Sequence, residues 1–308
     1  MDGHRIWPRA LSGRADSGTL DTPAPAGGSG GRRHTSARFS RRIRNRSEAR
    51  AIALPERDRQ ASYLGMPFSF PSRSLIGRAV ARGEVWDLPL RSVASELPLG
   101  GVVVDVGANL GASSLTLAAN RPDLRFLCLE PSDRFFPYLE RNLAPLVVSG
   151  RATLRKDFVG PPSLGVVLHE GTASASAVHI ARRDVRHVLH EPVTPCPLDV
   201  LTESVSPVVL IKVDTDGYEV HVIESGRHLI AETSPHLFLE WTPRLLADAG
   251  RSEDELRDLL KSLGYVEATV FAPNGSMVAA RLPLTEVESG PNSYVDVWVH
   301  GAVQPIVS

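Results

Sequence analysis

The chain has 308 residues, 42% of them hydrophobic and 22% charged, enough for one large globular domain or two small ones. A net charge of −1 hides a split: residues 1–60 hold 13 arginines against six acidic residues, so the remainder carries an acidic surplus of eight. No run approaches the roughly 18 apolar residues of a membrane-spanning helix. The two cysteines, Cys128 and Cys196, exclude a disulfide framework, a CxxC zinc ribbon and a thioredoxin-type redox pair, which fits a reducing, cytoplasmic setting. Only three of the 34 basic residues are lysine, which reads as a G+C-rich coding bias rather than a nucleic-acid surface.

Residues 1–37 are rich in Gly, Pro, Ser, Thr and Arg and are expected to form a disordered basic arm, because they cannot repay their ordering entropy. Residues 38–98 are expected to form a helical lead-in: a charged helix over Ser40–Gln60, then one over Ser72–Val85 with Leu75, Ile76, Ala79 and Val80 at helical spacing. The main domain is placed at 99–308. Val102–Val106 is a continuous β-branched run, the mark of a strand buried on both faces. A glycine-containing turn leads to a helix over Ala112–Asn120. Strands follow at Arg125–Leu129, Arg151–Phe158, Val208–Val213 and His236–Leu239, with helices over Ser132–Leu143, Tyr218–Leu229 and Ser252–Leu263 between or after them. Tyr265–Phe271 and Tyr294–Val299 alternate like strands at the end of a sheet. Strands alternating with helices predict an α/β fold: a Rossmann-like, doubly wound, mostly parallel sheet with an antiparallel C-terminal edge.

The chemistry-bearing residues gather at the carboxyl ends of the predicted strands, the rim where α/β sheets bind ligands. The turn Asp105-Val-Gly107-Ala-Asn109-Leu-Gly111 opens a helix, as a nucleotide loop does, but lacks the G-x-G-x-x-G spacing of a dinucleotide site. Asp105 would repel a pyrophosphate and suits a cationic ligand, which favours S-adenosylmethionine. Glu130, about 20 residues on, is placed to accept ribose hydroxyls. Asp157 and Phe158 end the third strand, where they would meet the adenine. A Gly107→Val change is expected to fill ligand space and leave the sheet folded. Lys212, Asp214 and Asp216 end an otherwise apolar strand, and Glu240-Trp241 ends the next.

The set DVGANLG, LEPSDRFFPYLERNL, PLDVL, IKVDTDGYEVHVIESG and HLFLEW, in this order and spacing, resembles the FkbM family of S-adenosylmethionine-dependent methyltransferases over about residues 100–300. The resemblance implies a class I methyltransferase fold, S-adenosylmethionine as cofactor and O-methylation of a sugar, oligosaccharide or polyketide-type acceptor. The family's K-I-D-V-E-G stands here as Lys212-Val-Asp214-Thr-Asp216-Gly217, with a carboxylate one methylene shorter at 216. Asp214 is then the candidate base, with Lys212 orienting it or stabilising developing oxyanion character; Asp216, Glu240 and Trp241 are the candidate acceptor contacts. No cluster requires a metal, although Asp214, Asp216 and Glu240 have the chemistry for an oxygen-ligated Mg²⁺. Two other classes compete. A nucleic-acid methyltransferase would use the arginine arm for phosphates, against the acidic remainder of the chain. An NAD-dependent oxidoreductase would need the missing third glycine.

Overall fold

The computed structural model describes residues 56–170, 175–179, 192–290 and 293–302, all within one unit spanning Pro55–Ser308. The expected basic arm lies outside the described residues, as does most of the expected helix over Ser40–Gln60. The centre of the molecule is an eight-stranded sheet. Its parallel part comprises β3 (Val102–Val106), β4 (Arg125–Leu129), β5 (Ala152–Arg155), β9 (Val208–Val213) and β10 (His236–Trp241). Three antiparallel strands extend it: β11 (Glu267–Phe271), β12 (Met277–Pro283) and β13 (Val295–Val299), in the order β12-β11-β13-β10-β9-β3-β4-β5. This is the expected doubly wound sheet with an antiparallel edge.

The apolar runs explain its placement. Every residue of β3 and β9 is buried, and their side chains divide between two cores. Val102, Val104 and Val106 enter one core and Val103 the other. Helices α3 (Ala112–Asn120) and α4 (Phe136–Val148) supply Leu115, Leu139 and Leu143 to the second core. Further along the chain lie α5 (Leu198–Thr202), α6 (Glu219–Ser225), α7 (Arg227–Thr233), α8 (Pro243–Asp248) and α9 (Glu253–Ser262), whose Leu198, Val222, Ile230, Leu246 and Leu256 build the first. The capping box of α9 is present: Glu255 N–H donates to Ser252 Oγ at 3.1 Å, and Ser252 N–H to Glu255 Oε2 at 2.8 Å. The expected Tyr218–Leu229 helix is two helices. Gly226 lies between them, and a Cβ there would stand 2.6 Å from Leu198 Cδ2.

The lead-in departs from a purely helical segment. It opens with an antiparallel hairpin, β1 (Asp58–Tyr63) and β2 (Met66–Pro71), ahead of α1 (Leu75–Ala81) and α2 (Leu90–Glu96). The two-residue turn Leu64-Gly65 has φ of 51° and 82°, the left-handed pair that matches strand twist. Leucine in the first turn position, where Asn or Asp is usual, hid this hairpin from the sequence reading. Nor is the lead-in separate from the main domain: Tyr63, Phe68, Phe70, Leu90 and Val93 share the core with Leu115 and Leu143. The segment Pro161–Pro195, without readable pattern, holds part of a small sheet, β6 (Val166–Glu170) between β7 (Ala175–His179) and β8 (Pro192–Val193).

Asn142 on α4 ties hairpin to domain. It is 3% exposed, its Oδ1 accepts from Ser69 N–H at 2.7 Å, and its Nδ2 donates to Ser69 O and Leu110 O, both at 2.9 Å. Asn142→Ala leaves those groups buried and unpaired, so chemical denaturation is expected to show a loss of about 1–3 kcal/mol. A loss below about 0.5 kcal/mol, the scale of an ordinary surface change, would show that the tie contributes nothing.

Candidate active site

The turn after β3 is shaped by three left-handed residues: Gly107 (φ 78°), Asn109 (φ 49°) and Gly111 (φ 83°). They turn successive N–H groups toward the end of β4. Gly107 N–H and Ala108 N–H both donate to Leu129 O, at 2.9 and 3.1 Å, and Asn109 N–H to Glu130 Oε2 at 2.8 Å. Glu130, 4% exposed, also accepts from Ser132 N–H at 2.9 Å through Oε1. Each of its oxygens keeps a second lone pair for a ligand hydroxyl.

The two glycines do not leave ligand space. A Cβ on Gly107 would stand 2.0 Å from the carbonyl oxygen of Asp214, so a valine there strikes the backbone after β9 rather than leaving the sheet folded. A Cβ on Gly111 would stand 3.0 Å from Leu139 and Leu143; this glycine lets α4 pack against the start of α3.

Gly107, Asn109, Glu130, Asp157, Phe158, Lys212, Asp214, Asp216 and Glu240 line one cavity of about 290 Å³. Chain regions more than 130 residues apart thus converge where the sequence placed the strand ends. Asp105, Gly111 and Trp241 do not line it. Asp105 is buried within the sheet at 1% exposure, directly paired with Lys212 in the β3–β9 register. Trp241 belongs to the core and donates its indole N–H to Glu253 Oε1 at 2.6 Å, which leaves it no face for an acceptor. Asp157 is ion-paired with Arg155 at 2.8 Å, and Phe158 meets Tyr218 edge-on at 5.8 Å.

Lys212 is the charge centre. Its Nζ lies 3.3 Å from Asp214 Oδ2 and 3.5 Å from Asp105 Oδ1, at 2% exposure. The other oxygen of Asp105 accepts from Ser114 Oγ at 2.7 Å. Burial alone would favour the neutral amine, but Asp214, Asp105 and Asp87 outweigh it and hold the ammonium charged. Asp214 is the outward member of this pair, its side chain 37% exposed.

Glu219 stands within the IKVDTDGYEVHVIESG stretch, where the sequence assigned it no role. It is buried at the start of α6, where Oε1 accepts from Thr215 N–H, Thr215 Oγ1 and Gly217 N–H at 3.0–3.2 Å and so holds the Asp214–Asp216 turn. A second cavity, of about 390 Å³, shares Trp86, Asp214, Glu240 and Tyr294 with the first and adds Asp87 and Asp296. Asp296 sits opposite Glu240 in the β10–β13 pair. Among the described residues, no group of three or more His, Cys, Asp or Glu is arranged to hold a metal ion.

This crowding of acids protonates them. Burial is the first cause throughout: it pushes Glu130, Asp216 and Glu219 up to about 7, Asp296 to about 8 and Glu240 to about 10, with Asp214 adding repulsion at Asp216, Asp296 and Glu240. The folded protein therefore holds more protons than the unfolded chain from the ordinary carboxyl range up to these values, and stability falls as pH rises through that window. His236, pushed down to about 4 by burial, works in the opposite direction only below its ordinary value of 6.5. The melting temperature is expected to fall between about pH 6.5 and 8.5, and to fall less in Glu240→Gln. A melting temperature that is flat or rising over that interval would contradict the protonated cluster.

The first cavity fits a cationic, hydroxyl-bearing donor. Glu130 keeps lone pairs for ribose hydroxyls, Asn109 Oδ1 is buried without a hydrogen-bond partner, and Asp214 brings a partly exposed carboxylate to the wall. Among the described residues no helix is long and apolar enough to cross a membrane. The chain is 40% identical over 90 residues to ribosomal RNA small subunit methyltransferase G of Salinispora tropica, a match covering 26% of this chain and 37% of that protein. It is 29% identical over 94 residues to the same enzyme of Moorella thermoacetica, covering 29% and 39%. The chain thus spans little more than a third of the length of these curated relatives. The crystal structure of methyltransferase FkbM from Methylobacillus flagellatus aligns over 65% of this chain and 43% of that one, with 15% identity and a TM-score of 0.42. The methyltransferase FkbM domain matches residues 105–267, just over half of the chain. The protein belongs to the FkbM family of S-adenosylmethionine-dependent methyltransferases.

Proposed function

We propose that the protein is an O-methyltransferase acting on a hydroxyl of a sugar, oligosaccharide or polyketide-type small molecule. The observation that carries this reading is the position of Asp214: partly exposed, held 3.3 Å from the Lys212 ammonium, and lining both cavities where they meet. The first cavity is read as the donor site, with Gly107, Asn109 and Glu130 at the ribose and methionine end and Asp157 and Phe158 near the adenine. Asp105 and Gly111 support it from beneath. When bound, S-adenosylmethionine supplies an electrophilic methyl group on a sulfonium. Asp214 takes the proton of the acceptor hydroxyl as the new C–O bond forms, and Lys212, 3.3 Å away, holds that carboxylate in place. Asp216 and Glu240 bound the acceptor side. Much of the rate comes from holding hydroxyl and methyl in line.

A second reading, methylation of RNA, comes from the names of the relatives, ribosomal RNA small subunit methyltransferases. The second cavity does not favour it: none of the described residues lining it is Lys or Arg, the side chains that bind phosphates. A cytoplasmic setting accords with the two free thiols, Cys128 and Cys196.

Asp214→Asn keeps the shape and removes the proton acceptor. Methyl transfer is expected to fall ~10²–10⁴-fold while calorimetry shows donor affinity nearly unchanged. Lys212→Met is expected to reduce the rate and also the folding stability, since it leaves Asp105 buried without its cation. Near-normal turnover of Asp214→Asn would remove Asp214 as the base. Loss of donor binding in that variant would make it a donor ligand instead.

A further inference from the structure

The loop before α2 precedes the part of the chain that matches the family domain, yet it forms one wall of the second cavity. Its backbone is fixed on both sides of Trp86. Trp86 N–H donates to Tyr63 Oη at 3.0 Å, and Trp86 O accepts from Thr116 Oγ1 at 3.1 Å; the two hydroxyls lie 2.6 Å apart. Tyr63 comes from the hairpin and Thr116 from α3, so the lead-in and the main domain clamp this peptide together. The next residue, Asp87, takes a left-handed conformation at φ 48°, and its half-buried carboxylate accepts from Ser113 Oγ.

Aspartate is tolerated but not demanded by the backbone at this position. The left-handed conformation is open to glycine and, among the other residues, to asparagine and aspartate. The carboxylate faces a cavity already lined by Asp214, Glu240 and Asp296. Burial and the charges of Asp214 and Asp105 push it up to about 6, against the pull of Lys212 and the Ser113 hydrogen bond. The loop is held by Trp86 backbone atoms as well as by the Asp87–Ser113 hydrogen bond. A half-buried carboxylate beside Asp214, kept on a left-handed backbone at the wall of this cavity, points to a role there.

We propose that Asp87 is an acceptor-binding residue: its carboxylate accepts a hydrogen bond from a hydroxyl or ammonium of the acceptor and selects uncharged or cationic acceptors against anionic ones. The inference rests on the O-methyltransferase reading and adds the charge class of the substrate. Lys212 attracts the Asp87 carboxylate electrostatically, but its ammonium makes its close contacts with Asp105 and Asp214. Asp87 is distinct from the base. It lines the second cavity and not the first, whereas Asp214 lines both.

The test measures transfer of a tritiated methyl group from S-adenosylmethionine to a panel of hydroxyl compounds in three matched sets: neutral glycosides, amino-sugar glycosides and sugar phosphates. Label is expected in the first two sets and not in the phosphates. Asp87→Asn retains the left-handed turn and the acceptor for Ser113, so it is expected to fold; it should raise the acceptor KM about tenfold or more, change kcat less than about threefold, and narrow the discrimination against phosphates. Asp87→Gly, relieved of backbone strain, should show the same KM effect with equal or higher melting temperature. S-adenosylhomocysteine affinity should be unchanged in both variants. Unaltered acceptor KM in both variants overturns the proposal. So does equal use of phosphate-bearing acceptors by the unaltered protein, or a panel that takes no label while S-adenosylhomocysteine still binds. Failure of the O-methyltransferase reading looks different: label then resides on nitrogen or carbon in the product.

Discussion

A single ammonium buried between strands organises this molecule. Removing a lysine charge from water costs several kcal/mol unless it is paired and hydrogen-bonded. Lys212 meets that requirement with Asp105 at its side on β3 and Asp214 just past the end of β9. The pairing fixes several things at once. It sets the β3–β9 register at the sheet's centre. It draws the Asp214 carbonyl against the Gly107 turn so closely that only glycine fits. It also leaves one carboxylate, that of Asp214, facing outward with its cation behind it. A small shift of Lys212 would disturb the turn, the sheet and the Asp214 carboxylate together.

Around that one cation stand more acids than it can neutralise. Glu130, Asp216, Glu219, Glu240 and Asp296 retain protons to pH values well above those of free carboxylic acids. Such crowding opposes folding, and sites that bind charged ligands commonly carry this kind of tension.

Much of this was legible in the sequence, and the reasons are specific. The Val102–Val106 and Val208–Val213 runs have the β-branched continuity of strands buried on both faces, and the structure buries both completely. Ser252 and Glu255 stood at capping-box spacing. Lys212 and Asp214, two residues apart, had to share a face. The illegible parts depend on contacts made across the fold. Leu64-Gly65 turns a hairpin with the wrong first residue for the usual signal. Trp241 looked like a rim residue, but Glu253, twelve residues on, draws its indole into the core. Asp87 sits in a short Trp-Asp-Leu-Pro stretch with no motif, and only the packing of Tyr63 and Thr116 brings it to the site. Local pattern encodes strand ends well; it does not encode which distant loop covers them.

The buried ammonium can be observed directly, because the chain has only three lysines, Lys156, Lys212 and Lys261. With ¹⁵N-labelled lysine, the side-chain Nζ resonances are few enough to assign by substituting each of the exposed two. Above about 10.4, the ordinary lysine value, a solvated lysine ammonium gives up its proton. The expected result is that Lys212 Nζ remains a slowly exchanging ammonium through that pH. A Lys212 resonance that loses its proton at or below it would contradict the paired, charged centre on which the site and the sheet register depend.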